Sequence, residues 1–200
     1  MTRPSVFLVA VVFALSAAGC GSGRSTQPTT PGVTTTTASS PGALQGEAAS
    51  AAAGDIPDNQ IFLTFQNPSA GYSMKYPEGW AQRGSDANVT FSDKNNIVRA
   101  VVTTGAAWTR ASVAADAQAL NGAHLQGSPH AISLSGLPAF KVVYRTVSKP
   151  NPVTGKSVTL TVDRYYVSGR GRRAVLDLGC PVGVDNVDAY RLISESFGWS

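Results

Sequence analysis

Gly71-Tyr72-Ser73-Met74-Lys75-Tyr76-Pro77-Glu78-Gly79-Trp80 carries a strand, a stop and an aromatic anchor in ten residues. Tyr72, Met74 and Tyr76 alternate with Ser73 and Lys75, the period-two pattern of a strand with one face buried and one wet. Pro77 stops the strand because it has no N–H to offer the ladder. Gly79 permits a tight bend, and Trp80 brings a large apolar surface back beneath the strand.

Upstream, residues 61–66 read as a preceding strand, joined through the turn Asn67-Pro68-Ser69-Ala70. Strands at 89–92 and 97–103 flank the polar turn Asp93-Lys94-Asn95-Asn96. Residues 109–121 read as a helix with Val113, Ala117 and Leu120 on one face and Gly122 placed to end it. A short strand at 131–134 precedes a long hairpin, 140–147 and 158–167. A further strand at 172–179 follows through Ser168-Gly169-Arg170-Gly171. The last element, 186–197, reads as a helix capped by Asp185, with Asp188 in a capping-box role and Val187, Tyr190, Ile193 and Phe197 as its buried stripe. Hairpin-linked strands with two helices, and no strand-helix-strand alternation, predict an α+β fold: an antiparallel β-sheet with helices packed on its faces.

The phenylalanine-containing first strand, Gly71-Tyr72 and Tyr76-Pro77-Glu78-Gly79-Trp80 together resemble the opening of PsbP-like domains. Leu137-Pro138-Ala139-Phe140, the Tyr-rich hairpin, Ala174-Val175-Leu176-Asp177-Leu178 and Ile193-Ser194-Glu195-Ser196-Phe197 follow in that family's order. The resemblance covers residues 60–200 and implies an α/β/α sandwich. It also implies interaction rather than turnover, because such domains assist photosystem II in photosynthetic lineages and related folds act as protein-binding modules. Nothing in this sequence ties it to photosynthesis. Its Ala, Gly and Arg usage and Thr-Pro stalk resemble those of high-GC bacterial surface lipoproteins.

At the N-terminus, Arg3 precedes a nine-residue apolar run, Val6 to Ala14, which ends in Ala17-Ala18-Gly19-Cys20. Residues 1–19 read as a signal peptide, since the run is far below the roughly 20 residues that span a bilayer. Small residues before a cysteine resemble a bacterial lipobox, which makes Cys20 the lipid anchor, its thiol alkylated with diacylglycerol. Ala17 stands where that pattern prefers leucine, and the rival reading is ordinary cleavage after Ala18 that releases a soluble protein. Residues 20–58 are rich in Ser, Thr, Pro, Gly and Ala, contain no aromatic residue, and read as a disordered linker. Its 38 residues after Cys20 have a root-mean-square span of about 35 Å and a reach of about 130 Å, whether left bare or O-glycosylated.

Residues 59–200 are read as the PsbP-like domain. They carry 14 of the 16 Lys and Arg and nine of the 12 Asp and Glu, a net charge of +5 too dispersed for a nucleic-acid stripe. No disulfide framework exists. Cys180 sits at period two after Ala174, Leu176 and Leu178 and reads as a buried small hydrophobe. His124 and His130, the only histidines, flank Gln126-Gly127-Ser128-Pro129 with no Asp, Glu or Cys nearby, and read as surface loop residues without a metal. No serine lies in Gly-x-Ser-x-Gly, and Asp185 and Asp188 suit helix capping better than acid-base work. Arg170, Arg172 and Arg173 form the densest local charge. With the neighbouring glycines they are the candidate ligand-binding residues, able to cradle a phosphate or acidic head group or else to form a solvated turn. Arg145 and Arg164, with Tyr144 and Tyr166, pattern as a polar sheet face.

The expectation is therefore a lipoprotein anchored on the extracytoplasmic face of the cell membrane. Its non-catalytic domain binds or scaffolds an unknown protein or small amphiphilic ligand at the cell surface, without cofactor or nucleic acid. The alternative is a carrier or sensor of a small amphiphilic or anionic ligand held between sheet and helix. A deep apolar pocket would favour the carrier, and a closed core the scaffold.

Overall fold

The computed structural model describes Gly42, Gln45, Gly46 and residues 53–151 and 154–200. The signal peptide, Cys20 and most of the linker lie outside these residues. Within them the chain runs β1 (Phe62–Asn67), β2 (Tyr72–Pro77), β3 (Ala81–Ser85), β4 (Asn88–Asp93), β5 (Asn96–Thr104), α1 (Arg110–Gln118), β6 (His124–Leu125), β7 (His130–Leu134), β8 (Leu137–Val147), β9 (Thr159–Gly169), β10 (Arg172–Pro181), α2 (Val187–Glu195) and β11 (Gly198–Trp199).

The strands form two sheets rather than one. A three-stranded sheet has the order β1-β2-β11, and an eight-stranded sheet runs β3-β4-β5-β10-β9-β8-β6 with β7 also paired to β8. Every pairing among the described strands is antiparallel. The fold is α+β, an antiparallel architecture with a helix on each side of the large sheet. One face of that sheet, built from Val98, Ala100, Tyr165, Val167, Leu176 and Leu178, packs against Tyr72 and Met74 of β2 and Tyr190, Ile193 and Phe197 at α2. The opposite face presents Val142, Tyr166 and Val175 to Val113 and Ala117 of α1. A strand covered on both sides loses its alternation, and Ala174 to Cys180 of β10 is buried without interruption.

The organising strand behaves as its pattern predicts. Tyr72 and Met74 are 1% exposed, and Tyr72 stacks on Phe197 with ring centroids 5.6 Å apart. Tyr76 stacks on Phe91 at 4.1 Å, and Trp80 is buried in the same core. Burying each such aromatic contributes roughly 2 kcal/mol or more.

Several boundaries move. The folded unit begins before residue 59: Ile56 is buried in the main core, and the Gly54 carbonyl accepts from Asn96 Nδ2 at 2.6 Å and Asn186 Nδ2 at 3.2 Å. Two buried amides supply what the linker-like composition lacks. Helix α1 starts at the Thr109 cap, where a capping box with Ser112 satisfies both ends of the first turn, and stops at Ala119 short of Gly122. At α2 the cap is Asn186, not Asp185, and the expected capping box with Asp188 does not form. Asp185 Oδ1 accepts from the Val187 N–H at 3.3 Å, whereas Asp188 pairs with Arg191. Asn186 takes the inward position that Val187 was expected to hold, leaving Val187 71% exposed. The buried stripe reduces to Tyr190, Ile193 and Phe197.

Candidate functional site

The Asn186 side chain organises one end of the molecule. It accepts from the Ile56 N–H at 2.8 Å and donates to the Gly54 carbonyl and to Asn96 Oδ1, at 3.2 and 3.3 Å, while remaining 3% exposed. These bonds fix the segment ahead of β1 against the start of α2. The far end of the helix is held by Ser196, whose Oγ accepts from the Lys75 N–H of β2 at 2.7 Å. Between the two ties lies a groove of about 920 Å³, floored by Ile56, Phe62, Ala189 and Leu192. Asp55, Asp58, Asp185, Asp188 and Glu195 line its walls, against Lys75 and Arg191. Arg191 is already engaged with Asp188 at 2.9 Å. Among the described residues, Asp55, Asp58, Asp185 and Glu195 form no ion pair. The groove thus combines a few apolar side chains with an excess of exposed carboxylates.

The arginines singled out by the sequence do not converge. Arg170 and Gly171 are the two residues of the β9-β10 hairpin loop, both left-handed with φ of 52° and 71°, as such loops require. Arg170 borders a second, smaller recess of about 490 Å³ beside Leu137, Pro138 and Trp199. Arg172 and Arg173 are neighbours on a strand and so point to opposite faces of the sheet. Arg172 Nη1 donates to the Ala70 carbonyl at 2.9 Å, while Arg173 donates through Nε to Thr103 Oγ1 at 3.2 Å and stacks 4.6 Å from the Trp108 ring. The turn explains these residues, and the structure gathers no three-arginine cradle.

His124 and His130 lie on the short strands β6 and β7 rather than in a loop, both exposed, and face cations across the ladder: His124 opposite Arg145, His130 opposite Lys141. Among the described residues no three His, Cys, Asp or Glu side chains gather as metal ligands. Cys180 is buried on the apolar face of β10, its Sγ 3.7 Å from the Val184 carbonyl, and burial pushes its thiol pKa up. A protonated, covered thiol is a poor nucleophile.

A polar cluster on the α1 side of the large sheet was not legible in the sequence. Ladder register sets Asp177 between Arg99 and Arg164, and Arg164 opposite Val142; Arg145 pairs with Thr161 instead. Arg164 Nη1 lies 3.3 Å from Asp177 Oδ1, and its Nη2 lies 3.3 Å from Asp116 Oδ2 of α1. Tyr166 Oη donates to Asp116 at 2.8 Å, and Tyr144 Oη reaches Asp177 at 3.5 Å. Burial raises the Asp177 pKa against the opposing pull of Arg164 and Arg99. Burial is the largest influence on Arg164 and disfavours its charge, but Asp177, Tyr166, Tyr144 and Asp116 together outweigh it and raise the guanidinium pKa. Trp108 covers Tyr166 edge-on at 5.0 Å. Apart from the buried Arg164 Nε, which has no hydrogen-bond partner among the described residues, these groups answer one another beneath the helix and act as an internal clasp.

No family model matches the sequence, and no curated protein matches it significantly. Among solved structures, cyanobacterial PsbP (CyanoP) from Synechocystis sp. PCC 6803 aligns over 74% of this chain and 98% of its own, with 16% identity and a TM-score of 0.51. The Ran-binding protein Mog1p of Saccharomyces cerevisiae aligns over 70% of this chain and 96% of its own, at 9% identity and a TM-score of 0.46. LpqN of Mycobacterium tuberculosis, involved in cell envelope biogenesis, covers 72% of this chain and 86% of its own at 18% identity and a TM-score of 0.34. The chain has the PsbP-like fold that its strand and turn motifs implied.

Proposed function

We propose that this chain is a lipid-tethered, extracytoplasmic, non-catalytic binding module. Cys20 is its anchor, and the residues up to about Gly54 are the tether that carries the folded unit clear of the bilayer. Two or more acyl chains on Cys20 would hold the protein stably where one would not, each buried methylene contributing about 0.8 kcal/mol. No described helix is long and apolar enough to cross a membrane.

The observation that carries the binding reading is the closed core. Large side chains fill both faces of the central sheet, so the space where a carrier would hold its cargo is occupied by Tyr72, Phe91, Phe197, Leu176 and Tyr166. The two recesses described above lie at the surface. Buried charges support the same view, because Arg164 and Asp177 answer each other rather than facing a substrate-sized space.

The test is to compare the full chain with its Cys20→Ala variant by membrane fractionation, and to weigh the extracted protein intact under native conditions. The reading predicts that wild type stays with the membrane, that the variant is released folded, and that the native mass carries no bound small molecule beyond the acyl groups. Unchanged partitioning of the variant would remove the anchor. A stoichiometric amphiphile would make the protein a carrier.

A further inference from the structure

We infer that the groove beside α2 docks a basic, extended polypeptide segment of a partner protein that inserts an apolar side chain between its charges. The inference rests on the binding-module reading and names that module's site and partner chemistry. Five of the chain's 12 Asp and Glu line this one groove, although the chain as a whole carries a net charge of +4. With only Lys75 and Arg191 opposing them, the local balance is −3. Such a concentration is opposite in sign to its surroundings, so it draws cations and repels the anionic ligands that the rest of the surface would attract.

The floor supplies the second requirement. Phe62 is half-buried and Leu192 remains 38% exposed. Together with Ile56 beneath them they offer a strip onto which one aliphatic side chain can pack, the usual arrangement of an apolar anchor ringed by charge. The framework is rigid, because Asn186, Asn96 and Ser196 fix the groove's sides through bonds that do not involve the rim carboxylates. A ligand would therefore meet a preformed surface, with little ordering cost on this side.

The other occupants fit less well. The chain's own tether, residues 20–53, contains Arg24 and Glu47 as its only charges, and cannot neutralise the rim. A second copy offers at its β8-β9 hairpin tip only Lys149 and Lys156, two cations against four carboxylates that form no ion pair among the described residues. A small cation lacks the apolar part that Phe62 and Leu192 call for.

The experiment uses the full mature chain in detergent and three labelled ten-residue peptides, read by fluorescence anisotropy. One peptide is Lys- and Arg-rich around a central leucine, the second has that leucine replaced by alanine, and the third has glutamine for every base. The basic leucine peptide should bind saturably, about tenfold more tightly than its alanine counterpart from the lost apolar burial, and the glutamine peptide should not bind. Raising salt from 20 to 200 mM should weaken it severalfold. Asp55→Asn/Asp58→Asn/Glu195→Gln should lower affinity about tenfold, while Asp86→Asn, on the β3-β4 turn beside Ser69 at the opposite end of β1 from Phe62, should leave it unchanged. Equal binding of all three peptides, salt-independent binding, or an effect of Asp86→Asn equal to that of the triple variant would overturn the inference. So would concentration-dependent self-association abolished by Lys149→Gln/Lys156→Gln, which would make the partner a second copy. Salt and peptide dependence are read on wild type, so they decide the matter even where a variant misfolds. Failure here leaves the anchor and native-mass results untouched, and those alone bear on the binding-module reading.

Discussion

Replacing Arg164 by methionine should destabilise the folded unit by about 3 kcal/mol, and the reason can be worked from the clasp beneath α1. Asp177 is 7% exposed and has Arg164 at 3.3 Å and Arg99 at 3.8 Å. Removing the nearer guanidinium leaves a buried carboxylate facing one partner that is itself 41% exposed, and breaking a buried pair from one side costs roughly 3–5 kcal/mol. The remaining Arg99 argues for the lower end. Asp177→Leu strands Arg164 in turn, with only Asp116 left, and should cost about the same. The double variant Arg164→Met/Asp177→Leu removes both desolvated charges and lets Asp116 and Arg99 rehydrate, so its cost should be about 1–2 kcal/mol instead of the roughly 6 that simple addition gives. Urea denaturation followed by tryptophan fluorescence reads all three, since Trp108 packs on Tyr166 directly over the cluster. The pH adds a second check. The Asp177 pKa is raised by burial, so the stability linked to its protonation is fully present below the unfolded-state value and is lost as pH rises through the folded one. Without Arg164 that shift grows, and the deficit of Arg164→Met should shrink on acidification towards pH 4. Additive costs in the double variant, or a deficit independent of pH, would refute an electrostatic clasp and leave lost packing as the cause.

Gly71→Ala should cost about 2–3 kcal/mol. Its φ of 67° is left-handed, and an added Cβ would fall 1.4 Å from Arg172 Nη1, displacing the guanidinium from the Ala70 carbonyl. In an Arg172→Ala background the same change should cost only about 1 kcal/mol, as measured by denaturant midpoint. Burial raises the pKa of Tyr72, Tyr144, Tyr165, Tyr166 and Tyr190, that of Tyr144 to about 12. The linked stability is intact below pH 10 and falls between pH 10 and 12, and absorbance at 295 nm should show most phenol ionisation coinciding with unfolding. Asn186→Ala should release the segment ahead of β1, costing about 2 kcal/mol and raising amide exchange at Ile56, without altering exchange in β9 and β10.

Elements with strong apolar alternation were legible from the sequence. Tyr72, Met74 and Tyr76, or Ala174, Leu176, Leu178 and Cys180, report their own burial because a strand half in water must alternate. What escaped notice carries no such signal. All five residues of β3 are exposed, so nothing in Ala81-Gln82-Arg83-Gly84-Ser85 marks it as a strand. Strands β6 and β11 are two residues long, and ladder bonds alone define them. The split into two sheets follows from which strands exchange bonds, a non-local fact that no window of sequence contains. The groove was missed for the same reason. Asp55 and Asp58 precede the domain as composition draws it, Asp185, Asp188 and Glu195 lie over 120 residues later, and the Asn186 and Asn96 ties and the burial of Ile56 bring the two runs together. The Arg164 clasp likewise depends on a register that sets Asp177 between two arginines. The local density of Arg170, Arg172 and Arg173 is a feature of sequence rather than of space, because strand alternation sends Arg172 and Arg173 to opposite faces.

Whether the protein is a tethered binding module is decided by the intact mass of the mature protein, extracted from the membrane of its own host and weighed first under native and then under denaturing conditions. A tethered module gives a denatured mass that begins at Cys20 and includes a diacylglyceryl modification, with a native mass that adds no further small molecule. An unlipidated mass beginning at Gly19, or a native mass carrying one amphiphile per chain, would contradict the account of a tethered binding module.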